Sequence, residues 1–526
     1  MKTLLSLILT ALVLAVLPSA ALASPTQESM FQDDPMLVYG TDEQVDSTLA
    51  TLAAFGVDRL RISVFWRIVA PANDQATRPN FDATDPGAYP PELWAPYDRI
   101  TRLAANYGIA LNFNLTSPIP RWAATESPRT DLQETFGPNP DEFGKFVRAV
   151  GTRYSGSYEG LPRVDYWSIW NEPNQAGWLT PQWSPDPRDS SGKAMIESAP
   201  TTYRKLVAAA WTNLADTTHG GDTILVGETA PQGQQDNQGL SQSLDPLRFL
   251  RRLYCLDDNA NILKGDAATA TGCPTDAATF VAENPALFHS TGYAHHPYAL
   301  LSPPSRKSRA PDWVSMSDLR KLTSELTRIY RRYGQKLPSR RGVRLYLTEY
   351  GYQTKPDPFS VSFARQAAWI NEAEYLAFKN PLVRSMSQFL LVDDAPVAGV
   401  DPQKDPQLAW RTFQSGLKSL AGKRKPAYTA YITPIHLKAR AVRRGRSVGV
   451  FGLLRGAKAG TTQSVQVQFR AKGGKRWRTR RTLKIGGTRH FLNTRVRING
   501  AGSVRLRWRN GSRATVSRAA PISIRR

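Results

Sequence analysis

Short apolar runs alternate along most of this chain with longer segments in which apolar positions recur at helical spacing. Between residues 36 and about 430 this alternation indicates repeated βα units. Eight strands are predicted from the apolar runs, at residues 36–39, 59–64, 110–115, 166–170, 224–227, 292–294, 344–348 and 387–391. Eight parallel strands close a (β/α)8 TIM barrel, so the pattern predicts an α/β fold of that class.

The helices between these strands are predicted from stripes of apolar residues. In the clearest of them, residues 141–154, Phe143, Val147, Val150 and Tyr154 fall on one face. Further helices are predicted at residues 44–55, 93–107, 201–214, 315–333, 363–378 and 407–417. Long insertions follow strands four, five and six, at residues 178–200, 232–246 and 300–313. Such loops shape the pocket above a barrel.

After residue 430 the pattern changes to period-two alternation, as in residues 464–469 and 503–508, with glycine-rich turns between the runs. This alternation predicts a C-terminal antiparallel β-sandwich with one apolar and one arginine-rich face. We therefore divide the mature chain into a barrel domain, residues 24–430, and a basic accessory domain, residues 431–526.

Charge separates the same two regions. The 526-residue chain has a net charge of +24, yet residues 431–526 contain 25 Lys and Arg and no Asp or Glu. The first 430 residues are nearly neutral, with 43 basic and 44 acidic residues. The basic tail favours an anionic partner such as a cell-wall polymer, an acidic polysaccharide or a membrane surface. The alternative is an exposed arginine-rich face without a partner.

The N-terminus has the pattern of a secretory signal peptide. A lysine precedes an apolar stretch at residues 4–17, and residues 21–23 (ALA) form a small-x-small cleavage site. The alternative, an uncleaved membrane anchor, is disfavoured because the apolar stretch is short, and no later run is long enough to span a bilayer. Residues 1–23 are thus a predicted signal peptide of a secreted, extracellular protein, free or bound to the cell surface. Export argues against nucleic acid as the partner of the tail.

Cys255 and Cys273 are the only cysteines. In an exported chain they favour one disulfide over two free thiols. No metal site is predicted, because two cysteines this far apart and scattered histidines do not provide the spacing of metal ligands.

Two of the predicted strands end in a glutamate. Residues 167–174 (WSIWNEPN) contain Glu172, and residues 344–351 (RLYLTEYG) contain Glu349. In a parallel barrel both carboxyl groups lie at the C-terminal mouth, where the chemistry is placed. A pair of carboxyl groups serves glycosidic bond cleavage, in which one protonates the leaving oxygen and the other attacks or stabilises the anomeric carbon. The alternative for Glu172 is a helix cap before Pro173, but two motifs in this order favour catalysis.

These motifs resemble the large clan of retaining (β/α)8 glycoside hydrolases, in particular the cellulase-like glycoside hydrolase family 5 and the related family 39. The resemblance spans roughly residues 36–430. It implies that Glu172 is the acid/base, that Glu349 is the nucleophile, and that Asn171 binds the 2-hydroxyl group of the sugar. No cofactor is implied.

Other positions match the clan in part. Arg61 resembles the strand-two arginine that keeps the nucleophile ionised, and its alternative is a salt bridge beneath the barrel rim. His296 and Tyr298 resemble the strand-six pair that contacts substrate and nucleophile, and their alternative is a structural turn before Pro297. The chain departs from the clan at strand three, which lacks a histidine, and at strand eight, which lacks the usual tryptophan.

Several aromatic and acidic residues near the strand ends are further candidates. Trp122, Trp178 and Trp183 lie in predicted loops and are expected to contact substrate, since indole rings stack on the apolar faces of sugars. Trp66 and Trp170 are assigned to the core or rim. Glu228, after strand five, is expected to be a structural carboxylate, with hydrogen bonding to a sugar as the alternative.

The sequence therefore predicts a secreted retaining O-glycoside hydrolase that cleaves β-linked oligo- or polysaccharides by a double displacement. A transglycosylase that uses the same residues is one alternative. A non-catalytic glycan-binding or cell-wall-binding protein on a barrel scaffold is another.

Overall fold

The computed structural model describes residues 24, 26–234, 238–511 and 513–525. The predicted signal peptide lies outside these residues. Parallel strands close a barrel in the order β1-β10-β9-β8-β7-β4-β3-β2, which confirms the predicted TIM barrel. The first ten strands are β1 Glu28–Gln32, β2 Arg59–Phe65, β3 Ala110–Thr116, β4 Tyr166–Ile169, β5 Trp183–Pro185, β6 Met195–Glu197, β7 Thr223–Thr229, β8 Gly292–His295, β9 Leu345–Leu347 and β10 Val383–Phe389. Strands β5 and β6 pair with each other in the loop after β4.

The first predicted strand is wrong. Residues 36–39 are not extended, because the Asp33 carboxylate accepts a hydrogen bond from the Met36 N–H at 3.1 Å and starts a short helix there. The true first strand, β1, has only five residues and little apolar alternation, although Met30 and Phe31 are fully buried. The eighth barrel strand, β10, also begins and ends earlier than the predicted 387–391.

Fourteen α-helices lie in the described part of the chain. They are α1 Asp34–Leu37, α2 Asp42–Ala54, α3 Trp66–Val69, α4 Pro91–Asn106, α5 Pro140–Arg153, α6 Ala199–Leu214, α7 Pro246–Leu253, α8 Gly265–Ala270, α9 Ala277–Glu283, α10 Pro285–His289, α11 Leu319–Arg332, α12 Phe363–Lys379, α13 Pro406–Ala409 and α14 Pro426–Ile432. Short 3-10 segments occur at Pro86–Ala88, Arg121–Ala123, Thr130–Thr135 and Met316–Asp318, and a π segment at Ala215–His219.

Most of the predicted helices are present with ends shifted by a few residues. Helix α5 buries the predicted stripe, and the Asn139 side chain caps it by accepting a hydrogen bond from the Asp141 N–H at 2.9 Å. The predicted helix at 407–417 is wrong, since only the short α13 forms there. No helix among the described residues is long and apolar enough to cross a membrane.

The C-terminal region forms the predicted antiparallel sandwich around its own apolar core. Its strands are β11 Ile435–Leu437, β12 Ala441–Arg443, β13 Ser447–Leu453, β14 Gln463–Ala471, β15 Arg478–Ile485, β16 Phe491–Arg497, β17 Gly502–Asn510, β18 Arg513–Val516 and β19 Ala520–Arg525. One sheet has the order β11-β13-β16 and the other the order β12-β19-β17-β14-β15, with β18 beside β17. The β12–β19 pair is parallel, unlike the rest.

Barrel and sandwich pack directly against each other through α12. The Phe378 ring lies 5.1 Å from the Phe451 ring and 4.8 Å from the Phe491 ring, centroid to centroid. Elsewhere, Cys255 and Cys273 form the predicted disulfide in the segment that follows α7.

Candidate active site

A cavity of about 700 Å³ lies at the C-terminal mouth of the barrel. Six polar residues of its lining, which we call the floor, are buried or half-buried: Gln32, Asp34, Asn171, Glu172, Tyr298 and Glu349. Each of these residues lies near the carboxyl end of a barrel strand, because all eight barrel strands are parallel and point to the same end.

Glu172 and Glu349 face each other in this cavity. One carboxylate oxygen of each lies within 4.8 Å of the other and of a ring nitrogen of His296. Glu172 follows β4 by three residues and Glu349 follows β9 by two, so closure of the sheet brings together positions far apart in the chain. The spacing is that of retaining chemistry, in which the two carboxyl groups are about 5 Å apart.

Both oxygens of Glu349 are held by hydrogen-bond donors. The Arg61 Nη1 atom donates to Oε1 at 2.8 Å, and the Tyr298 hydroxyl donates to Oε2 at 3.0 Å. Burial raises the pKa of Glu349, while the positive charges of His296 and Arg61 oppose this rise. The two donors orient the carboxylate and stabilise its ionised form.

Arg61 is fully buried and connects several floor residues from behind. Its Nη2 atom donates to Asn171 Oδ1 at 2.6 Å and to Glu228 Oε2 at 3.1 Å, and Nη1 donates to Gln32 Oε1 at 2.6 Å. The planar guanidinium group thus fixes the positions of an amide, a glutamine and two carboxylates at once.

His296 continues this network to Glu172. Its Nδ1 atom lies 2.8 Å from Glu172 Oε1, and its Nε2 atom lies 2.8 Å from Glu228 Oε2. Burial alone would lower the pKa of His296, but the negative charges of Glu349, Glu172 and Glu228 raise it to about 10. The raised pKa favours the imidazolium form of the ring, in which each N–H group donates a hydrogen bond to a carboxyl group.

Glu228 is the fully buried anion shared by both cations. Burial alone would raise its pKa, yet Arg61 and His296 lower the pKa of this carboxyl to about 2. The Thr348 hydroxyl also donates to Glu228, at 2.7 Å. Glu228 is thus structural, as the sequence analysis expected, but it supports the candidate catalytic groups directly.

Strained backbone occurs at these strand ends. Glu172 has φ +36°, Glu228 has φ +48°, Trp170 has φ +64° and Leu390 has φ +70°. Residues other than glycine seldom adopt positive φ, and the surrounding structure must impose the strain. Two of the three carboxylates of the site, Glu172 and Glu228, are therefore presented from strained backbone.

The predicted aromatic contacts divide into two groups. Trp178 lines the cavity and stacks on Phe65 with centroids 6.5 Å apart. Trp122 is buried, packs edge-on against Trp66 at 6.2 Å, and is not among the described residues that line the cavity. This placement does not support the prediction that Trp122 contacts substrate, because its indole N–H instead donates to the carbonyl of the half-buried Pro71 at 3.0 Å.

Trp183 is also buried, with its indole N–H donating to the Gln242 carbonyl at 2.9 Å. Trp170 lies in the core, as expected. At the end of β10, where the clan carries a tryptophan, Phe389 and Leu390 line the cavity.

Gln32 and Asp34 are floor residues that the sequence analysis missed. Both follow from the true position of β1, since Gln32 is its last residue and Asp34 lies just beyond it. The only signal in the sequence was a Gln-Asp-Asp run at the end of a very short strand. With β1 predicted too late, this run appeared to precede the barrel.

Glu172, His296 and Glu349 also form the type of group that can surround a metal ion. A metal needs the free lone pair of a neutral imidazole. Both ring nitrogens of His296 are instead hydrogen-bonded to carboxylates, and its pKa is about 10. The set fits a network of ion pairs better than a metal site.

No family model and no curated protein matches this sequence. Several solved structures are similar to this chain at low sequence identity. A GH5_18 structure from Streptomyces cattleya in complex with GlcNAc has 13% identity and a TM-score of 0.45, covering 80% of this chain and 84% of that one. A beta-glucosidase from Thermotoga maritima in complex with glucoimidazole has 12% identity and a TM-score of 0.45, covering 77% and 96%. The predicted TIM barrel itself is confirmed by the closed order of its eight parallel strands.

Proposed function

We propose that this protein is a retaining O-glycoside hydrolase that acts on β-linked sugars. The observation that carries the proposal is the approach of the Glu172 and Glu349 carboxylates to within 4.8 Å at the floor of a cavity of about 700 Å³. This spacing allows one carboxylate to reach the anomeric carbon while the other reaches the glycosidic oxygen.

The reaction has two displacements. Glu349 attacks the anomeric carbon, the bond to the leaving oxygen breaks, and Glu172 transfers its proton to that oxygen. Water then attacks the glycosyl ester, Glu172 takes a proton from it, and the bond from the anomeric carbon to Glu349 breaks. Two inversions leave the product in the β configuration.

The residues around Glu172 and Glu349 orient the reacting groups for these steps. Arg61 and Tyr298 orient Glu349, and the charges of His296 and Arg61 favour its ionised form against the effect of burial. Asn171 is fixed by Arg61 and is directed at the 2-hydroxyl group, a contact that strengthens toward the transition state. The imidazolium of His296 binds Glu172 at 2.8 Å and stabilises its charge after the proton has left.

A covalent label tests the nucleophile. A 2-deoxy-2-fluoro β-glycoside with a reactive leaving group should add one glycosyl unit to the peptide that contains Glu349, as measured by mass spectrometry. Glu349→Gln should abolish labelling and turnover while keeping the circular dichroism spectrum. The control Glu126→Gln, at an exposed carboxylate, should keep labelling and turnover.

No label and no turnover across a broad panel of β-glycosides would favour the non-catalytic binding protein. Transfer of the sugar to an added alcohol in preference to water would favour the transglycosylase.

We propose further that the protein is exported and that its basic domain binds an anionic cell-wall polymer. A groove of about 1,050 Å³ between α12 and the sandwich is lined by Arg440, Arg470, Lys472 and Arg518. Among the described residues its one ion pair within 4.0 Å is the marginal contact between Arg440 and Glu372. Positive charge in this groove is therefore largely uncompensated.

His436 also lines the groove, and its pKa reflects the same excess of positive charge. Burial and then the charges of Arg518, Arg440 and Lys438 lower the pKa of His436 to about 4. A bound polyanion would neutralise these like charges, and salt would weaken its binding.

Retention on an anionic polymer column tests the partner. Arg470→Glu with Lys472→Glu should elute at lower salt than the unmodified protein. The matched control, Arg478→Glu with Arg481→Glu on the exposed strand β15, carries the same change of charge outside the groove. Equal loss of retention in both variants would indicate diffuse attraction and contradict a site in the groove.

A further inference from the structure

Exposed apolar side chains cluster at the mouth of the active-site cavity. The described part of the chain has ten large apolar side chains that are exposed to solvent. Five of them line this one cavity: Tyr39, Leu300, Leu301, Phe359 and Phe413, which are 49% to 61% exposed. We call these five residues the apolar rim. Exposed apolar groups that gather around a cavity mark a binding surface.

Polar side chains near the rim are already bonded to the protein. Gln175 donates to the Gln232 carbonyl at 2.6 Å, and Gln353 accepts from the Gln414 N–H at 2.6 Å. Asp357 and Asp394 accept hydrogen bonds from the N–H groups of two rim residues, Phe359 at 2.6 Å and Phe413 at 3.1 Å. These polar groups support the rim and leave its apolar surface toward the cavity.

The conformation of the loop after β8 also indicates that the apolar rim is a binding surface. Leu300 has φ +49°, a conformation that disfavours leucine, and yet its side chain is 51% exposed. The adjacent Leu301 is 54% exposed. A strained backbone that presents two apolar side chains to solvent at a cavity mouth is a sign of function.

The composition of the rim distinguishes between leaving groups. The cavity lining described here contains no lysine or arginine, but it contains Asp34, Asp357 and Asp394, so an anionic leaving group would be repelled. The rings of Tyr39, Phe359 and Phe413 can stack on a sugar or pack against an apolar group. The two leucines offer a further sugar neither a hydrogen bond nor a flat ring, so they favour an apolar group. An apolar leaving group matches what the rim provides.

We propose that the substrate is a β-glycoside of an apolar alcohol, whose alkyl, aryl or isoprenoid group occupies the apolar rim while its sugar occupies the polar floor. This inference rests on the proposed function and defines its substrate class. The sequence predicted an oligo- or polysaccharide substrate. The inferred substrate instead carries one or a few sugar residues on an apolar alcohol.

An alkyl series tests this inference. Methyl, butyl, hexyl and octyl β-glucosides and β-mannosides have leaving groups of nearly equal reactivity, and all are used below their micelle concentrations. For the accepted sugar, kcat/KM should rise by up to roughly fourfold for each methylene group that the rim buries. A flat or falling series would overturn the inference while leaving the proposed hydrolase intact.

Binding separates the two proposals. Alkyl thioglycosides, in which sulfur replaces the cleaved oxygen, report on the rim without turnover. An octyl thioglycoside should bind at least tenfold more tightly than the methyl compound, and equal affinity would overturn the inference. A gain in affinity without hydrolysis of any oxygen glycoside would instead contradict the proposed function.

Matched variants localise the effect. Leu300→Asn combined with Leu301→Ser removes the two leucines, and asparagine tolerates the left-handed conformation at position 300. The octyl-to-methyl affinity ratio should fall at least fivefold. Leu408→Asn combined with Leu420→Ser removes two exposed leucines that do not line the cavity, and it should keep the ratio. An equal fall of the octyl-to-methyl affinity ratio in both double variants would contradict binding of the alkyl group at the apolar rim.

Discussion

The candidate site places three carboxylates around two buried cations. Glu228 is bonded to both Arg61 and His296, whereas Glu172 and Glu349 each contact one or both of these cations from the cavity side. Two cations cannot neutralise three carboxylates, so Glu172 and Glu349 compete for the positive charge that Glu228 already shares. Glu228 therefore sets the charge balance of the candidate site from behind its floor.

His296 gives a prediction that depends on pH. The unfolded imidazole titrates near 6.5, but in the folded protein its pKa is about 10. Because the folded state keeps a proton that the unfolded state releases, the stabilising contribution is complete below pH 6.5 and is lost as the pH rises toward 10. We expect the free energy of unfolding, measured with urea, to fall between pH 6.5 and 9.

One variant and one control test whether the buried network around His296 causes this fall in the free energy of unfolding. Glu228→Gln removes one of the carboxylates that raise the pKa of His296, so its stability should depend less on pH over this range. His289→Gln, at an exposed histidine, should keep the slope of the unmodified protein. An NMR titration that found the His296 ring neutral at pH 8 would contradict the assignment.

At the scale of the element, β7 shows how a strand is adapted to deliver a side chain. Its pairing with β8 changes register between Val226 and Thr229, and Gly227 within this bulge has φ +112°. A Cβ atom at position 227 would lie 2.7 Å from the Ala294 carbonyl oxygen and from the Tyr293 ring. Only glycine fits there, and the bulge turns Glu228 toward Arg61.

We expect Gly227→Ala to destabilise the protein by about 3 kcal/mol, because the substitution combines overpacking with backbone strain. It should also lower kcat, since Glu228 would lose its place between the two cations. Gly221→Ala is the control, as no atom lies within 4 Å of a Cβ at that position. Chemical denaturation and kinetics on one aryl β-glycoside measure both effects, and equal behaviour of the two variants would contradict a special role for the bulge.

The elements also show what the sequence could reveal. Strands such as β2 and β3 are buried apolar runs, so periodicity alone located them, and the number of strands predicted the barrel. Strand β1 was misplaced because its five residues show no clear period. That error concealed Gln32 and Asp34, although Glu172 and Glu349 were predicted from their strand-end positions. The burial of Trp122 depended on packing against Trp66, which no local pattern encodes.

At the scale of the whole molecule, the barrel and the sandwich share an interface that is partly charged. Arg455 of the sandwich is buried and pairs with the buried Glu374 of α12, and it also contacts the hydroxyl of Ser29 in β1. Asp58, just before β2, pairs with Arg489. The tail therefore contacts the barrel near the start of two strands that carry residues of the candidate site, so removing it would expose apolar and charged surface of the barrel.

The pair of Arg455 and Glu374 provides the test of this coupling. Arg455→Met leaves the Glu374 carboxylate buried without its cation, and we expect a loss of about 3–5 kcal/mol in the free energy of unfolding. Arg455→Met with Glu374→Met removes both charges and should cost less than the single change, so the double-mutant cycle should show strong coupling. Lys404→Met, in the exposed pair with Asp401, should change stability by less than about 0.5 kcal/mol. Additive effects of the two interface changes would mean that Arg455 and Glu374 do not stabilise each other across the interface.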